Sequence, residues 1–452
     1  MSEQLLSVGL DVGTTSTQLV VSRLQIENRA SGFAVPEMEI TAREILYKSP
    51  VHFTPLVEEK RVDGNAIRCI VEREYRNAGI SREQVDSGAI IITGETSRKE
   101  NARAVLAALS EYAGDFVVAT AGPDLESVLA AKGSGAVDYS EKTGQTVLHM
   151  DIGGGTSNLA LIREGKIVQT GCLNVGGRLV KFDAAGKLSY VSPAIEEIFL
   201  LRPGDIPSRQ HREALVKTLT EALEMAAGRR EETELLYKLT TKETGRSWIP
   251  PKETVVVSFS GGVADCIAED HPEFAFGDLG PLLGQKIRES CLCGEPYVLG
   301  RETIRATVIG AGCHSTQLSG STVFYRNIDF PLKNLPVVHI PEFSAVQETL
   351  SRQETQPILA LAGKKAPSYQ EIADLADALA AQITGPVLVC LEQDMAKALG
   401  QALAVRMRPE VPVLCIDRVR VEEGSFLDIG EPVGSALPVV VKTLVLSKQV
   451  KT

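Results

Sequence analysis

The chain has 452 residues, 44% hydrophobic and 23% charged, the balance of a water-soluble globular protein of about three domains by length. Its 47 Lys and Arg against 58 Asp and Glu leave a formal net charge of −11, which argues against nonspecific nucleic-acid binding, a process that needs a cationic face to displace counterions. Eight scattered cysteines with no Cys-x-x-Cys argue against a zinc or disulfide scaffold, and no apolar run approaches the ~18 residues of a membrane span.

The N-terminus, MSEQLLSVGLDVG, lacks a basic start followed by an apolar run, so an intracellular, non-membrane protein is expected. Val8 to Leu10 then reads as an apolar strand, Asp11-Val12-Gly13-Thr14-Thr15 as a turn, and Ser16 to Val21 as a returning strand. Further on, Ala89 to Ile92 is a strand that ends at Thr93-Gly94-Glu95-Thr96. The stretch from Ala121-Gly122-Pro123 to Gly133-Ser134-Gly135-Ala136 is rich in small residues.

Leu148 to Leu161 repeats the opening unit 140 positions later. In both copies an aspartate (Asp11, Asp151) is followed by glycine two residues on (Gly13, Gly153), a small hydroxyl residue six on (Thr17, Ser157) and leucine eight on (Leu19, Leu159). From about 181 to 253 the chain reads as an insertion, with a helix at 209–227 in which Leu215, Leu219, Leu223 and Ala226 recur at helical spacing. Trp248, the only tryptophan, is read as a packing residue. A strand from Thr254 then runs into Ser260-Gly261-Gly262, and Arg305 to Gly312 is a second stretch rich in small residues.

After Pro336 the pattern changes to strands at 357–362, 387–391 and 413–416, separated by helices at 369–383 and 394–408, the first opened by the capping box Ser368-Tyr369-Gln370-Glu371. Alternation of this kind predicts a small parallel α/β module. Partner recognition and simple stabilisation are both open as its role.

A loop rich in glycine lets consecutive backbone N–H groups converge on an anion without Cβ obstruction, and Thr or Ser hydroxyls add donors. An aspartate beside such a nest repels phosphate unless a cation lies between them. The duplicated loop therefore predicts a nucleotide clasped between two related halves. Asp11 and Asp151 hold Mg²⁺ through its waters, and Gly13, Thr14, Thr15, Gly153, Gly154, Gly155 and Thr156 hold the phosphates.

This ordered set resembles the actin-like ATPase superfamily of actin, sugar kinases and heat-shock chaperones over roughly residues 5 to 335. The resemblance implies an α/β fold of two ribonuclease H-like lobes (1–145 and 146–335, with the insertion at 181–253) plus the C-terminal α/β module (336–452). It puts Gly261 and Gly262 against adenosine and makes Asp151, with Asp11, the catalytic aspartates. The 121–136 and 305–312 stretches become helices that cross closely at a hinge. Two departures bear on mechanism: the chaperones carry Glu where this chain has Gly122, and Asp where it has Asn158. Losing both predicts ATP hydrolysis slower than ~1 s⁻¹. Glu95 is read either as a compensating acid or as a solvated loop residue.

A finer similarity covers the whole chain. LLSVGLDVGTTSTQLVVSRLQIENRASGFAVPEMEI, ITGETSRKENA, LHMDIGGGTSNLALIREGKI and VLCIDRVRVEEGSFLDIGEPVGSALPVVVKTLVL resemble the family of reactivating factors of ethanolamine ammonia-lyase. The resemblance implies a chaperone-like protein of ethanolamine catabolism that uses ATP and Mg²⁺ to exchange damaged cobalamin on the lyase for adenosylcobalamin. It implies a cytoplasmic location with association to a bacterial microcompartment, and leaves open a homo-oligomer and direct contact with cobalamin. The alternatives are a small-molecule kinase of the same superfamily and an actin-like filament protein.

Overall fold

The computed structural model describes residues 3–13, 16–28, 38–57, 61–93, 117–120, 123–242, 244, 247–314, 316–319, 322–340, 356–383, 385–419, 421, 425–432 and 436–443. Three main sheets organise these residues. In the first, β1 (Glu3–Val12), β2 (Ser16–Asn28) and β3 (Met38–Lys48) form an antiparallel meander, while β4 (Ser87–Ile92) and β5 (Val117–Thr120) extend it in parallel from β1. The order is β3-β2-β1-β4-β5.

The second sheet repeats this arrangement. β6 (Val147–Ile152), β7 (Ser157–Arg163) and β8 (Lys166–Leu173) form the meander, and β9 (Val256–Ser260) and β10 (Val298–Leu299) continue in parallel from β6. Its order, β8-β7-β6-β9-β10, is the first order renumbered. This shared mixed topology is that of a ribonuclease H-like half, and two such halves together give one two-lobed architecture of the actin-like ATPase type. Every residue of β6 is buried, as expected for a central strand covered on both faces.

The helices that matter most are α1 (Gly64–Ala78), α2 (Pro123–Gly133), α3 (Arg209–Ala226), α4 (Gly262–Ala268), α5 (Gly280–Arg288) and α6 (Ala306–His314). Asp63 starts α1 by accepting the Ala66 N–H, and Gly79 stops it in the left-handed region. In α3, Leu215, Leu219 and Leu223 are buried and join the core of the second half. Trp248 is 3% exposed, and its Nε1–H donates to the Ala226 carbonyl at 3.1 Å.

Helices α2 and α6 exchange partners. α2 follows the first sheet yet rests on the second, where the Ser127 hydroxyl donates to the Gly171 carbonyl at 3.3 Å. α6 follows the second sheet yet rests on the first, where the Ser7 hydroxyl donates to the Gly312 carbonyl at 2.5 Å. The two helices cross at glycines. A Cβ at Gly133 would lie 1.9 Å from the Ala306 carbonyl oxygen, and one at Gly310 would lie 2.0 Å from that of Leu129. Only hydrogen fits at either contact.

The third sheet has eight strands. β13 (Leu332–His339), β14 (Ile358–Leu361), β15 (Val387–Leu391) and β16 (Val413–Ile416) are parallel, with α7 (Tyr369–Gln382) and α8 (Ala396–Arg406) among them. Ser368 and Glu371 form the reciprocal capping box that opens α7. The sheet is larger and more mixed than the parallel module read from sequence. Antiparallel strands β11 (Thr316–Leu318), β12 (Phe324–Arg326), β17 (Ser425–Ile429) and β18 (Pro438–Thr443) flank it, in the order β11-β18-β17-β13-β14-β15-β16-β12. The two ends of this segment thereby close on one another. Among the described residues no helix is long and apolar enough to cross a membrane, and all eight cysteines are free thiols.

Candidate functional site

The duplicated loops have the same local geometry. Gly13 N–H donates to the Ser16 carbonyl and Gly153 N–H to the Thr156 carbonyl, both at 2.9 Å. Antiparallel register sets Asp11 opposite Gln18 and Asp151 opposite Asn158. Both turns face one cleft of about 640 Å³, a volume suited to a nucleotide. It is lined by Asp11, Gly13, Asp151, Gly153, Gly154, Gly155, Thr156, Gly261 and Gly262, so nine of the eleven expected site residues meet there. Thr14, Thr15, Glu95 and Gly122 lie outside the described residues.

Glycine is required at two points. Gly261 sits at φ 83°, and a Cβ there would lie 2.3 Å from the Ile152 carbonyl oxygen, so the end of β9 packs directly against β6. A Cβ at Gly176 would lie 2.4 Å from the Gly154 carbonyl oxygen. The segment after β8 is held behind the second loop by Gly177 N–H to Gly153 O at 3.0 Å and Arg178 N–H to Gly154 O at 2.6 Å.

Each aspartate accepts a hydroxyl from the end of the neighbouring parallel strand. Thr93 donates to Asp11 Oδ1 at 2.9 Å, and Ser260 donates to Asp151 Oδ1. Ser260 also contacts His149 Nε2 at 2.9 Å, and His149 Nδ1 lies 3.1 Å from the Ser258 hydroxyl. Burial holds His149 down at about 3, so the ring is neutral and serves to orient Ser260. Asp11 is pushed up to about 7, chiefly by burial; the Thr93 hydrogen bond opposes this and the Asp151 charge reinforces it. Asp151 is raised to about 6 by burial, against hydrogen bonds from Ser260, Thr307 and Asn158.

These shifts fix the sign of a pH effect. A carboxyl with a higher pKa folded than unfolded keeps its proton in the folded chain after the unfolded chain has lost it. The stability it contributes is full below its ordinary value and disappears as pH rises toward the folded value. The urea midpoint of the ligand-free protein is therefore expected to fall between pH 4 and pH 7. Asp11→Asn should flatten that fall; an unchanged slope would disprove this account of Asp11.

Two buried amides occupy equivalent positions opposite the aspartates. Gln18 Nε2 donates to the Ile304 carbonyl at 3.2 Å and Asn158 Nδ2 to Glu126 Oε2 at 2.9 Å, while Gln18 Oε1 and Asn158 Oδ1 are buried without a hydrogen-bond partner. Unsatisfied acceptors at such depth call for a donor. Beside two carboxylates, they fit a Mg²⁺ ion whose waters donate to the protein. No group of three or more His, Cys, Asp or Glu side chains among the described residues is gathered closely enough to hold a metal directly.

Glu126 was not anticipated. It lies on α2, 7% exposed, lines the cleft and is hydrogen-bonded to Asn158. A lone Glu three residues after Pro123 carries no local signal, and a search at position 122 misses it.

The family model described as "Ethanolamine utilisation protein EutA" matches residues 3–447. The chain is 40% identical over 476 aligned positions to the Salmonella typhimurium protein named ethanolamine ammonia-lyase reactivase EutA, covering 98% of this chain and 99% of that one. It is 39% identical to the Escherichia coli protein of the same name, with the same coverage. Among solved structures, the Aquifex aeolicus PPX-GPPA enzyme aligns at 15% identity and a TM-score of 0.40, covering 69% of this chain and 99% of that one.

Proposed function

Because the chain belongs to the ethanolamine utilisation protein EutA family, we propose that it reactivates ethanolamine ammonia-lyase, using Mg-ATP to promote exchange of damaged cobalamin for adenosylcobalamin on the inactive enzyme. The observation that carries the nucleotide part is one cleft receiving an equivalent Asp-x-Gly loop from each of two halves. A ligand that touches both loops has different affinities for open and closed cleft, so it can bias the angle between the halves.

Asp11, Asp151, Gln18 and Asn158 would hold Mg²⁺, which would offset the charge of the polyphosphate. Backbone N–H groups of the two glycine loops take the phosphate oxygens, with Thr156 beside them and Gly261 and Gly262 at the adenosine. Glu126, held by Asn158, is positioned to accept the proton of a water attacking the terminal phosphate, with Asp151 orienting it. Glu126→Gln is then expected to slow hydrolysis ~100-fold or more, the low end of general-base effects, with MgATP affinity unchanged. Equal hydrolysis by the variant would remove Glu126 from this role.

Closure strains the bound lyase and loosens its spent cobalamin. The decisive test incubates cyanocobalamin-blocked ethanolamine ammonia-lyase with this protein, adenosylcobalamin, Mg²⁺ and ATP. Recovery of deaminase activity is expected, and none without ATP. No recovery in the complete mixture would reject the proposal.

A further inference from the structure

The described residues lining the cleft include six carboxylates, Asp11, Glu126, Asp151, Asp265, Glu269 and Asp278, and one permanent cation, Arg178. A polyphosphate entering this cleft is repelled from nearly every side. One hydrated divalent ion offsets only part of that repulsion, which makes the position of the single guanidinium informative.

Arg178 is fixed at both ends. Its backbone N–H is bonded to Gly154 of the second loop, and the preceding Gly177 is bonded to Gly153. Leu279 N–H donates to the Gly177 carbonyl at 2.7 Å, so residues 177–178 and 278–280 run as a tied pair. At its tip, the Arg178 Nε–H donates to Asp278 Oδ2 at 2.9 Å, with the two side chains 20% and 7% exposed. Asp278 is itself held, because its Oδ1 accepts the Gly280 N–H at 2.9 Å at the start of α5. The Nε contact uses one of five guanidinium N–H donors, and the rest of the planar fork suits two phosphate oxygens at once. A lysine at this position would supply the charge but not the fork.

We propose that Arg178 binds the polyphosphate of the nucleotide from the second half of the cleft, with Asp278 as its positioning residue. The inference rests on the nucleotide reading of the cleft and adds a cation to a site otherwise built from carboxylates, amides and backbone. It also gives Gly176 a reason: a Cβ there would meet the Gly154 carbonyl oxygen at 2.4 Å and push the segment carrying Arg178 off the second loop.

The test is isothermal titration of the full chain with MgATP, MgADP and adenosine. Arg178→Gln should weaken MgATP and MgADP by ~30-fold, within the range for hydrogen bonds to charged groups, while adenosine changes less than about twofold. Arg178→Lys should recover part of the loss. Asp278→Asn, which leaves the guanidinium in place, should weaken MgATP by several-fold and spare adenosine. Unchanged MgATP affinity in Arg178→Gln, or equal weakening of MgATP and adenosine, overturns the proposal. Should Arg178→Gln fail to fold, Arg178→Lys and Asp278→Asn decide it by the same comparison of MgATP with adenosine. If the unsubstituted chain binds neither MgATP nor adenosine, the nucleotide reading of the cleft falls and this proposal with it. If it binds both and the variants lose no phosphate-dependent affinity, only the role of Arg178 falls.

Discussion

Asp151→Asn is expected to lower MgATP affinity by more than ~100-fold, about 2.7 kcal/mol, and to eliminate reactivation of the lyase, with the fold intact. Asparagine is nearly isosteric with aspartate, and the Ser260 hydroxyl can still donate to the amide oxygen. The lost feature is a negative charge beside the second loop. Asp11→Asn removes the matching charge from the first half and should act in the same direction. Stability should move the opposite way. Burial raises both carboxyls, so an uncharged amide relieves the folded chain of a group it disfavours once pH exceeds about 6. Greater stability at pH 8 with lost nucleotide binding would separate a ligand role from a structural one. Unchanged reactivation by both variants would sink the assignment.

The second large effect is expected at the helix crossing. In an exposed helix, Gly→Ala gains up to ~1 kcal/mol from propensity. At Gly310 the new methyl would stand 2.0 Å from a backbone carbonyl oxygen of α2, and at Gly133 it would stand 1.9 Å from one of α6. Neither carbonyl can rotate away as a side chain would, so the helices must part by about an ångström in a close-packed interior. The cost of overpacking, ~1–3 kcal/mol, is larger than the propensity gain. Each Gly→Ala variant should therefore unfold at lower denaturant concentration, and reactivation should fall further than MgATP affinity because the crossing joins the two halves. The effects should not add, since both glycines serve one contact. Gly385→Ala, where a Cβ meets nothing within 4 Å, is the control and should change little. Gain of stability at Gly133 or Gly310 would contradict the close crossing.

The site was legible where the chain repeats itself. Asp11 and Asp151, with their glycines, stand out because a phosphate nest needs missing Cβ atoms at fixed offsets, and those offsets occur twice. The hinge glycines were legible as small-residue clusters for a related reason: a backbone contact requires glycine whatever surrounds it. Glu126 and Arg178 were not legible. A lone Glu on a helix and a lone Arg after two glycines have no local pattern that distinguishes them from solvated charges. The third sheet was legible only in its centre. Parallel strands such as Val387–Leu391 are buried on both faces and read as apolar runs, whereas Phe324–Arg326 is short and partly exposed.

The sequence by itself determined the two related halves, the duplicated Asp-x-Gly loops and the family, because local backbone requirements and apolar runs are written residue by residue. Tertiary structure alone decided which charges face the cleft. Asn158 meets Glu126 across 32 positions and Arg178 meets Asp278 across 100. The acidic composition of the chain has its counterpart in the cleft, whose described lining residues include six carboxylates and one guanidinium. That arrangement depends on how α2 and the two sheets pack, and packing of distant segments leaves no period or spacing in the chain.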